Sequence, residues 1–241
     1  MILSFKMLAM GAPDKIHVFA TDECNLSCAY CFKETYDSSE TEKNLLKIAE
    51  ILAANDVKRV VIGGGEPLLV KNLEEVLKIL KNADISVDLH TNCVLLDYEK
   101  LIRLQGLVDK IGIPIDTLDE KVQYQLRNYT GYVKLVKNVA KDAQKLGFRI
   151  VFHTVAFDAA KQKIPQLYQN FIVNQDFSCW KIYEYNEKLA MQRSEDSPWF
   201  KTTRDVLDYF RCEHSLKTGG TDSNIAEFLL LEEKMRKYKD K

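Results

Sequence analysis

The stretch CNLSCAYC, residues 24–31, places three cysteines on one short segment with the spacing CxxxCxxC. It follows residues 16–20, whose β-branched and apolar composition predicts a strand. A disulfide framework distributes its cysteines along a small secreted domain, whereas these three are too closely spaced to be paired in that way. Clustered thiols of this kind indicate a metal site.

The spacing of the three thiols favours an iron–sulfur cluster over zinc. Three thiolates on one tight loop can each bind one iron of a [4Fe–4S] cube, which leaves the fourth iron open to a small molecule. A structural zinc site needs a fourth Cys or His nearby, and the loop contains none. The other cysteines, Cys93, Cys179 and Cys212, are scattered. Structural zinc and buried thiols without a ligand are the alternative interpretations.

A second motif, GGGEP at residues 63–67, follows the next predicted strand. Glycines at a strand end allow a ligand to approach the backbone closely, and the Glu66 carboxylate is suited to pairing with an ammonium group. A glycine run alone is also compatible with an ordinary turn. The motif lies at the first predicted strand end after the cysteine loop, residues 24–31, and a ligand site is therefore the favoured interpretation.

Short β-branched runs alternate with longer segments of helical periodicity. The predicted strands are residues 16–20, 59–62, 85–90, 110–115, 148–156 and 180–185, and the predicted helices are residues 42–54, 72–80, 97–104, 132–146 and 165–173. Repeated βα units imply a parallel sheet with right-handed crossovers. We predict an α/β fold, a partial (β/α)6 barrel, with its chemistry at the C-terminal strand ends. Residues 186–241, with helices near 204–210 and 224–238, are predicted to form a C-terminal cover within the same single domain, residues 1–241.

Composition excludes several classes of protein. The chain has 241 residues, a hydrophobic fraction of 46% and a net charge of −1, which exclude wholesale disorder and argue against binding a long nucleic acid. Residues 1–10 are apolar but lack the basic start of a signal peptide, and we interpret them as a capping strand or helix. Apolar runs are all shorter than the roughly 20 residues of a membrane span, so we expect a soluble, cytoplasmic protein.

The two motifs at successive strand ends are the basis of a resemblance: over residues 15–185 the chain resembles the radical S-adenosylmethionine (radical SAM) superfamily. The residues that match the family's cluster, aromatic and glycine motifs are Cys24, Cys28, Cys31, Tyr30, Gly64, Gly65, Glu66 and Pro67. The resemblance implies a [4Fe–4S] cluster whose open iron binds SAM. It also implies reductive cleavage of SAM to a 5′-deoxyadenosyl radical that takes hydrogen from the substrate, with a flavodoxin- or ferredoxin-type electron donor.

Further cofactor-binding positions are implied by the same resemblance. Thr91 and Asn92 end the third predicted strand, where the family often has a Ser/Thr-Asn pair near the cofactor; an ordinary turn is the alternative. Asp116 occupies a position that often faces the ribose or carboxylate of SAM, and a helix N-cap is its alternative. His153 and Thr154 point to opposite faces of a strand, so one of them should face the barrel near the ribose, unless His153 is structural.

A likeness to the viperin family narrows the class of substrate. It lies in residues 179–185, which include the sixth predicted strand, and in residues 116–120, which follow the fourth. Viperins dehydrate CTP or a related nucleoside triphosphate. Lys181 and Tyr183 share one face of the sixth strand and are the predicted catalytic or anion-binding residues. The chain departs from viperins where Val151 replaces a lysine and Cys179 replaces an arginine, so only part of the expected basic pocket is present.

Three functional hypotheses follow from these features. The first is a radical SAM enzyme acting on a small molecule, with a nucleotide as the leading candidate. The second is a radical SAM enzyme that modifies a peptide or protein side chain. The third is a non-catalytic zinc or iron–sulfur protein.

Overall fold

The fold is built around six parallel strands that occur in the sheet in the same order as in the sequence, β1 to β6. The computed structural model describes residues 15–31, 44–55, 57–156 and 163–184. The strands are β1 Lys15–Thr21, β2 Arg59–Gly64, β3 Ser86–His90, β4 Lys110–Pro114, β5 Arg149–Ala156 and β6 Cys179–Glu184. The helices are α1 Leu45–Ala53, α2 Leu73–Asn82, α3 Tyr98–Leu104, α4 Glu120–Arg127, α5 Tyr132–Lys145 and α6 Ile164–Asn170.

Each strand pairs in parallel with the next one along the chain, and β1 and β6 are the two edges of the sheet. At least one helix lies between each strand and the next one along the chain, as expected for repeated βα units. The predicted α/β fold with a six-stranded partial barrel is confirmed. Its C-terminal strand ends all lie at one edge of the sheet, which brings the cysteine and glycine motifs together.

The two faces of the sheet differ in polarity. The outer face packs against the helices through a continuous core that includes Val87, Ile111 and Ile150. The inner face carries polar side chains, among them His90 and His153, whose rings contact each other. Because strand residues alternate between faces, the same short strands provide both a hydrophobic core and a polar barrel interior.

Most predicted elements lie within a few residues of the observed ones, and one helix was missed. The predicted helix at 165–173 is α6 followed by a 3-10 turn at Ile172–Asn174. Helix α4 has no counterpart in the sequence prediction. Asp119 begins it by accepting hydrogen bonds from the backbone N–H groups of Lys121 and Val122.

Several predictions fall outside the described residues. These are the capping element at residues 1–10, the start of the first helix at 42–43, Cys212 and the C-terminal cover at 186–241. Within the described part of the chain, no helix is both long and apolar enough to cross a membrane.

Candidate functional site

The cysteine loop leaves the C-terminal end of β1 and turns back on itself between its second and third thiols. The Cys31 N–H donates to the Cys28 carbonyl at 3.1 Å, and the Leu26 N–H points to the Cys24 sulfur at 3.5 Å. Cys24, Cys28 and Cys31 are reduced and half-buried. Burial raises the pKa of the Cys28 thiol to about 11, and the positive charge of Arg127 opposes that rise. Three soft sulfur donors on one turn suit an iron–sulfur cluster.

The glycine motif packs directly against the start of the cysteine loop. The Gly65 N–H donates to the Thr21 carbonyl at 2.6 Å, and the Glu66 N–H donates to the Glu23 carbonyl at 2.7 Å. A Cβ atom on Gly65 would lie 1.9 Å from the Glu23 carbonyl oxygen, and Gly64 has φ of +127°. These glycines therefore permit a close approach to residues 21–23 of the chain itself, and the predicted approach of a ligand to the same backbone stays a prediction.

The Glu66 carboxylate joins the glycine motif to the end of β3. Its oxygens accept hydrogen bonds from the Thr91 hydroxyl at 2.8 Å, the Asn92 N–H at 2.7 Å and the Leu68 N–H at 3.0 Å. Glu66 is fully buried, which raises the pKa of its carboxyl, while these three donors lower it. The protein's own donors occupy both oxygens, so the expected pairing with a ligand ammonium is not supported.

Asn92 connects the end of β3 to the cysteine loop. Its side-chain N–H groups point to the Asn25 oxygen at 2.7 Å and to the Cys24 sulfur at 3.6 Å. Its backbone carbonyl accepts a hydrogen bond from the Tyr132 hydroxyl at 2.9 Å. Asn92 thus lies beside the first thiol, at the predicted site, while Thr91 is buried and bonded to Glu66.

Asp116 is fully buried at the centre of a polar cluster below the cysteine loop. One of its oxygens accepts hydrogen bonds from the Tyr30 hydroxyl at 2.7 Å, from Gln123 at 3.1 Å and from Arg127 at 2.8 and 3.2 Å. The other oxygen accepts the Val155 N–H at 2.9 Å. Protein donors occupy this carboxylate, so the predicted contact with SAM is not supported.

This cluster also decides the alternative role predicted for Asp116 and shows the contacts of Tyr30. The N-cap of α4 is Asp119 and not Asp116. Tyr30 uses its hydroxyl to hold the cysteine loop to Asp116. The hydrogen bond between Tyr30 and Asp116 therefore connects the cysteine loop to the buried polar cluster.

Two histidines face each other on the inner wall of the barrel. The ring centroids of His90 and His153 are 4.4 Å apart in an edge-to-face arrangement over Gly112. A Cβ atom on Gly112 would lie 2.5 Å from the His90 ring, so a glycine is needed there. Burial lowers the pKa of His90 to about 3 and also lowers the pKa of His153 well below its usual value. Both rings are therefore neutral at pH 7.

The opposite orientation of His153 and Thr154 is confirmed, and His153 is the one that faces the barrel. The Tyr183 hydroxyl lies 2.9 Å from His153 Nδ1. Thr154 is buried on the outer face, where its hydroxyl donates to the Ile115 carbonyl and accepts from the Trp180 indole. Thr154 is therefore remote from the interior, and its predicted contact with the cofactor is not supported.

Lys181 and Tyr183 share the inner face of β6, as the alternation predicts. Lys181 is in register with His153, and Trp180 packs on the outer face against Tyr168. Within the described residues, Lys181 makes no ion pair with a carboxylate. The inner wall therefore places the Lys181 ammonium group beside neutral imidazoles.

The neutral histidines predict a stability that falls on acidification. The folded pKa of His90 is about 3 against 6.5 for the free side chain, so the unfolded chain binds the extra proton between these values. We expect the free energy of unfolding to fall by about 2 kcal/mol per such histidine between pH 6.5 and 5, with neutral pH the more stable side. Denaturant titrations at both pH values should show a smaller fall in His90→Gln. An equally steep fall in that variant would contradict the assignment.

The family model described as "Radical SAM superfamily" matches residues 18–167, which include the cysteine loop, the glycine motif and His153. The chain belongs to the radical SAM superfamily. The match confirms the predicted family and enzyme class, together with its two cofactors, a [4Fe–4S] cluster and S-adenosylmethionine.

Curated relatives of this radical SAM chain include GTP 3′,8-cyclases. The chain is 32% identical over 151 residues to the GTP 3′,8-cyclase of Campylobacter lari, an alignment that covers 59% of this chain and 47% of the relative. It is 31% identical over 154 residues to the probable GTP 3′,8-cyclase of Methanococcus maripaludis, covering 61% of this chain and 51% of the relative. The matched region spans about half the length of these relatives.

Solved structures support the fold. Streptococcus suis SuiB bound to its precursor peptide SuiA aligns with a TM-score of 0.67 at 20% identity, covering 85% of this chain and 45% of SuiB. Coproporphyrinogen III oxidase (HemN) from Escherichia coli aligns with a TM-score of 0.59 at 13% identity, covering 84% of this chain and 52% of HemN. At these identities the likeness describes architecture alone.

The sequence prediction missed several residues of the site. They are His90, Gly112, Gln123, Arg127 and Tyr132. His90 could have been found from the sequence, because it is the last residue of a predicted strand and His153 lies near the end of another. Gln123 and Arg127 had none, because they lie on the helix that the sequence prediction left out.

Proposed function

We propose that this radical SAM chain acts on an anionic small molecule bound inside its barrel, with a nucleotide as the substrate class. The observation that carries the proposal is the Lys181 ammonium group. It is half-buried on the inner wall and, within the described residues, has no carboxylate partner. After burial, its charge is among the causes that lower the pKa values of His17, His90 and His153. A cation in such surroundings is suited to a phosphate or carboxylate.

The cluster ligands in this proposal are Cys24, Cys28 and Cys31. Their number leaves one iron of a [4Fe–4S] cluster without a protein ligand, as binding of SAM requires. A [4Fe–4S] cluster held by these thiols would supply the electron for reductive cleavage of SAM. The chain contributes placement: the glycine motif and Asn92 fix the loop that carries the thiols.

The residues that hold SAM are proposed at the same strand ends. The backbone of Gly64 to Pro67 borders the cysteine loop and presents polar groups to the methionine part. Asn92 lies beside Cys24, within reach of the same ligand. His153, held by the Tyr183 hydroxyl, faces the interior, where the ribose and the substrate are expected. Tyr183 keeps its proton at neutral pH, since burial raises its pKa, and can therefore donate a hydrogen bond.

Two observations support a nucleotide as the anion. Curated relatives carry the name GTP 3′,8-cyclase, and the sixth strand resembles that of viperins, for which a nucleoside triphosphate is the substrate. The names of the relatives make GTP the first nucleotide to test, and the viperin likeness makes CTP the second. Mass spectrometry of the product distinguishes cyclisation of the nucleotide from its dehydration.

The decisive experiment uses the anaerobically reconstituted chain of 241 residues with dithionite and SAM. Formation of 5′-deoxyadenosine is measured alone and with GTP, CTP, UTP or ATP. We expect one nucleotide to raise the rate well above the substrate-free background, followed by mass spectrometry of its product. A rate no higher than the substrate-free background with all four nucleotides would reject the nucleotide and leave a peptide or protein substrate as the candidate. A flavodoxin- or ferredoxin-type donor should replace dithionite in the same assay.

Lys181→Met should weaken binding of the stimulating nucleotide by at least about tenfold, because a hydrogen bond to a charged group contributes about 1.5–3 kcal/mol. Methionine keeps the length and apolar stem of the side chain while removing its charge. Calorimetric titration of the loaded enzyme measures the affinity. Lys78→Met, on the exposed face of α2, is the matched control and should bind like wild type. Wild-type affinity in Lys181→Met would contradict the role.

A further inference from the structure

Arg127, the last residue of α4, is buried beside the cysteine loop and is not part of any motif. Its side chain is only 5% exposed, and two of its nitrogens donate to one oxygen of Asp116, at 2.8 and 3.2 Å. Burying a guanidinium costs several kcal/mol unless it is well paired. The stability of the fold alone therefore does not explain why a charged side chain is buried at this position.

The guanidinium lies between two aromatic rings that lead to opposite ends of the cysteine loop. Its central carbon is 5.4 Å from the centroid of the Tyr30 ring and 4.9 Å from that of the Tyr132 ring, both within the range of cation–π contacts. Tyr30 directly precedes Cys31. Tyr132 donates to the carbonyl of Asn92, whose side chain reaches Cys24.

The backbone of α4 also holds the middle of the loop. The Ala29 N–H, next to Cys28, donates to the Leu126 carbonyl at 2.8 Å. The Asn128 side chain lies 3.3 Å from the Ser27 hydroxyl oxygen. Helix α4 therefore contacts the loop along its length, and Arg127 provides the charged part of that contact.

We infer that Arg127 is a positioning residue of the cluster, which fixes the cysteine loop and biases the electron affinity of the iron–sulfur centre through its buried positive charge. This inference rests on the proposed ligation by Cys24, Cys28 and Cys31. Reduction adds negative charge to a cluster, and hydrogen bonds, charge and burial around the sulfurs set its reduction potential. A fixed cation nearby stabilises the reduced form more than the oxidised form.

The partner carboxylate does not cancel this effect at the thiols. The Asp116 carboxylate also accepts hydrogen bonds from the Tyr30 hydroxyl, the Gln123 side chain and the Val155 N–H. These donors spread its negative charge, so the guanidinium is the less compensated partner of the Arg127–Asp116 pair. Replacing both Arg127 and Asp116 with neutral residues should make the reduction potential of the cluster more negative.

The test compares reduction potentials and EPR spectra of the reduced cluster in the reconstituted full chain without substrate. The variant is Arg127→Met with Asp116→Asn, which removes both charges and leaves no buried charge unpaired. We expect it to load a cluster with a more negative potential and an altered EPR signal. Arg127→Lys keeps the charge and should stay near the wild-type potential, although its loading should fall because lysine lacks the planar fork.

Arg103→Met is the control, since Arg103 is exposed on α3 and pairs with Glu74 at 3.7 Å; the reduction potential of its cluster should not change. A loaded double variant with wild-type potential and EPR signal would overturn the inference. If the double variant does not fold, Tyr30→Phe decides. It removes only the donor to Asp116 and should shift the potential in the same direction by a smaller amount, and an unchanged potential would again overturn the inference. A wild-type chain that takes up no [4Fe–4S] cluster would instead reject the proposed ligands.

Discussion

Replacing Cys28 with alanine is expected to abolish cluster assembly and the cleavage of SAM together. The protein supplies three thiolates for four irons in the proposed site, and a chain with two retains too few to hold the cube. Cys28 is central to the loop, where its carbonyl accepts the N–H of Cys31. After anaerobic reconstitution we expect less than about one iron per chain, no absorption of a [4Fe–4S] cluster, and no 5′-deoxyadenosine above the enzyme-free background.

The control for this result is Cys93→Ala. Cys93 is as much a thiol as Cys28, but it is fully buried after β3 and its sulfur points to the Thr91 carbonyl at 3.7 Å. That variant should load iron and sulfide like wild type. Retention of cleavage activity by Cys28→Ala would show that the ligand assignment is wrong, and loss of the cluster in Cys93→Ala would show that iron uptake is not specific to the loop.

The sequence was most informative where the chemistry is carried by neighbouring residues. The spacing of Cys24, Cys28 and Cys31 is a local property, and a loop that follows a strand positions such residues without help from the rest of the chain. Strand alternation likewise predicted that Lys181 and Tyr183 share a face, because successive strand residues point to opposite sides. Which face lies inside required the fold, since both faces of β6 contain polar and apolar residues.

Contacts between distant segments limited the prediction of individual roles. Glu66 was recognised as a site carboxylate, yet its partners Thr91 and Asn92 follow it by 25 and 26 residues. Asp116 was assigned to the cofactor because nothing local in the sequence reveals that Arg127 and Tyr30 bond to it. Buried carboxylates with protein partners and carboxylates that bind ligands have the same sequence appearance, and only tertiary structure separates them.

Gly65→Ala is expected to disrupt the junction between the glycine motif and the cysteine loop. The added Cβ would lie 1.9 Å from the Glu23 carbonyl oxygen and 2.6 Å from its carbon, and backbone atoms cannot move aside as the end of a flexible side chain can. Overpacking of this kind costs about 1–3 kcal/mol, which corresponds to a fall of about 2–12 °C in Tm for a chain of this size. Because Glu23 directly precedes Cys24, we also expect reduced iron loading and at least about tenfold weaker binding of SAM.

Gly63→Ala separates this steric effect from the general loss of a glycine. It lies two residues earlier in the same run, and a Cβ there would meet only the His90 Cβ at 3.8 Å, an ordinary contact. Thermal unfolding and iron content should therefore be those of wild type in Gly63→Ala and reduced in Gly65→Ala. Equal behaviour of the two variants would mean that the Gly65–Glu23 contact does not shape the cysteine loop. In that case the packing of the motif against residues 21–23 would not be what holds the thiols in place.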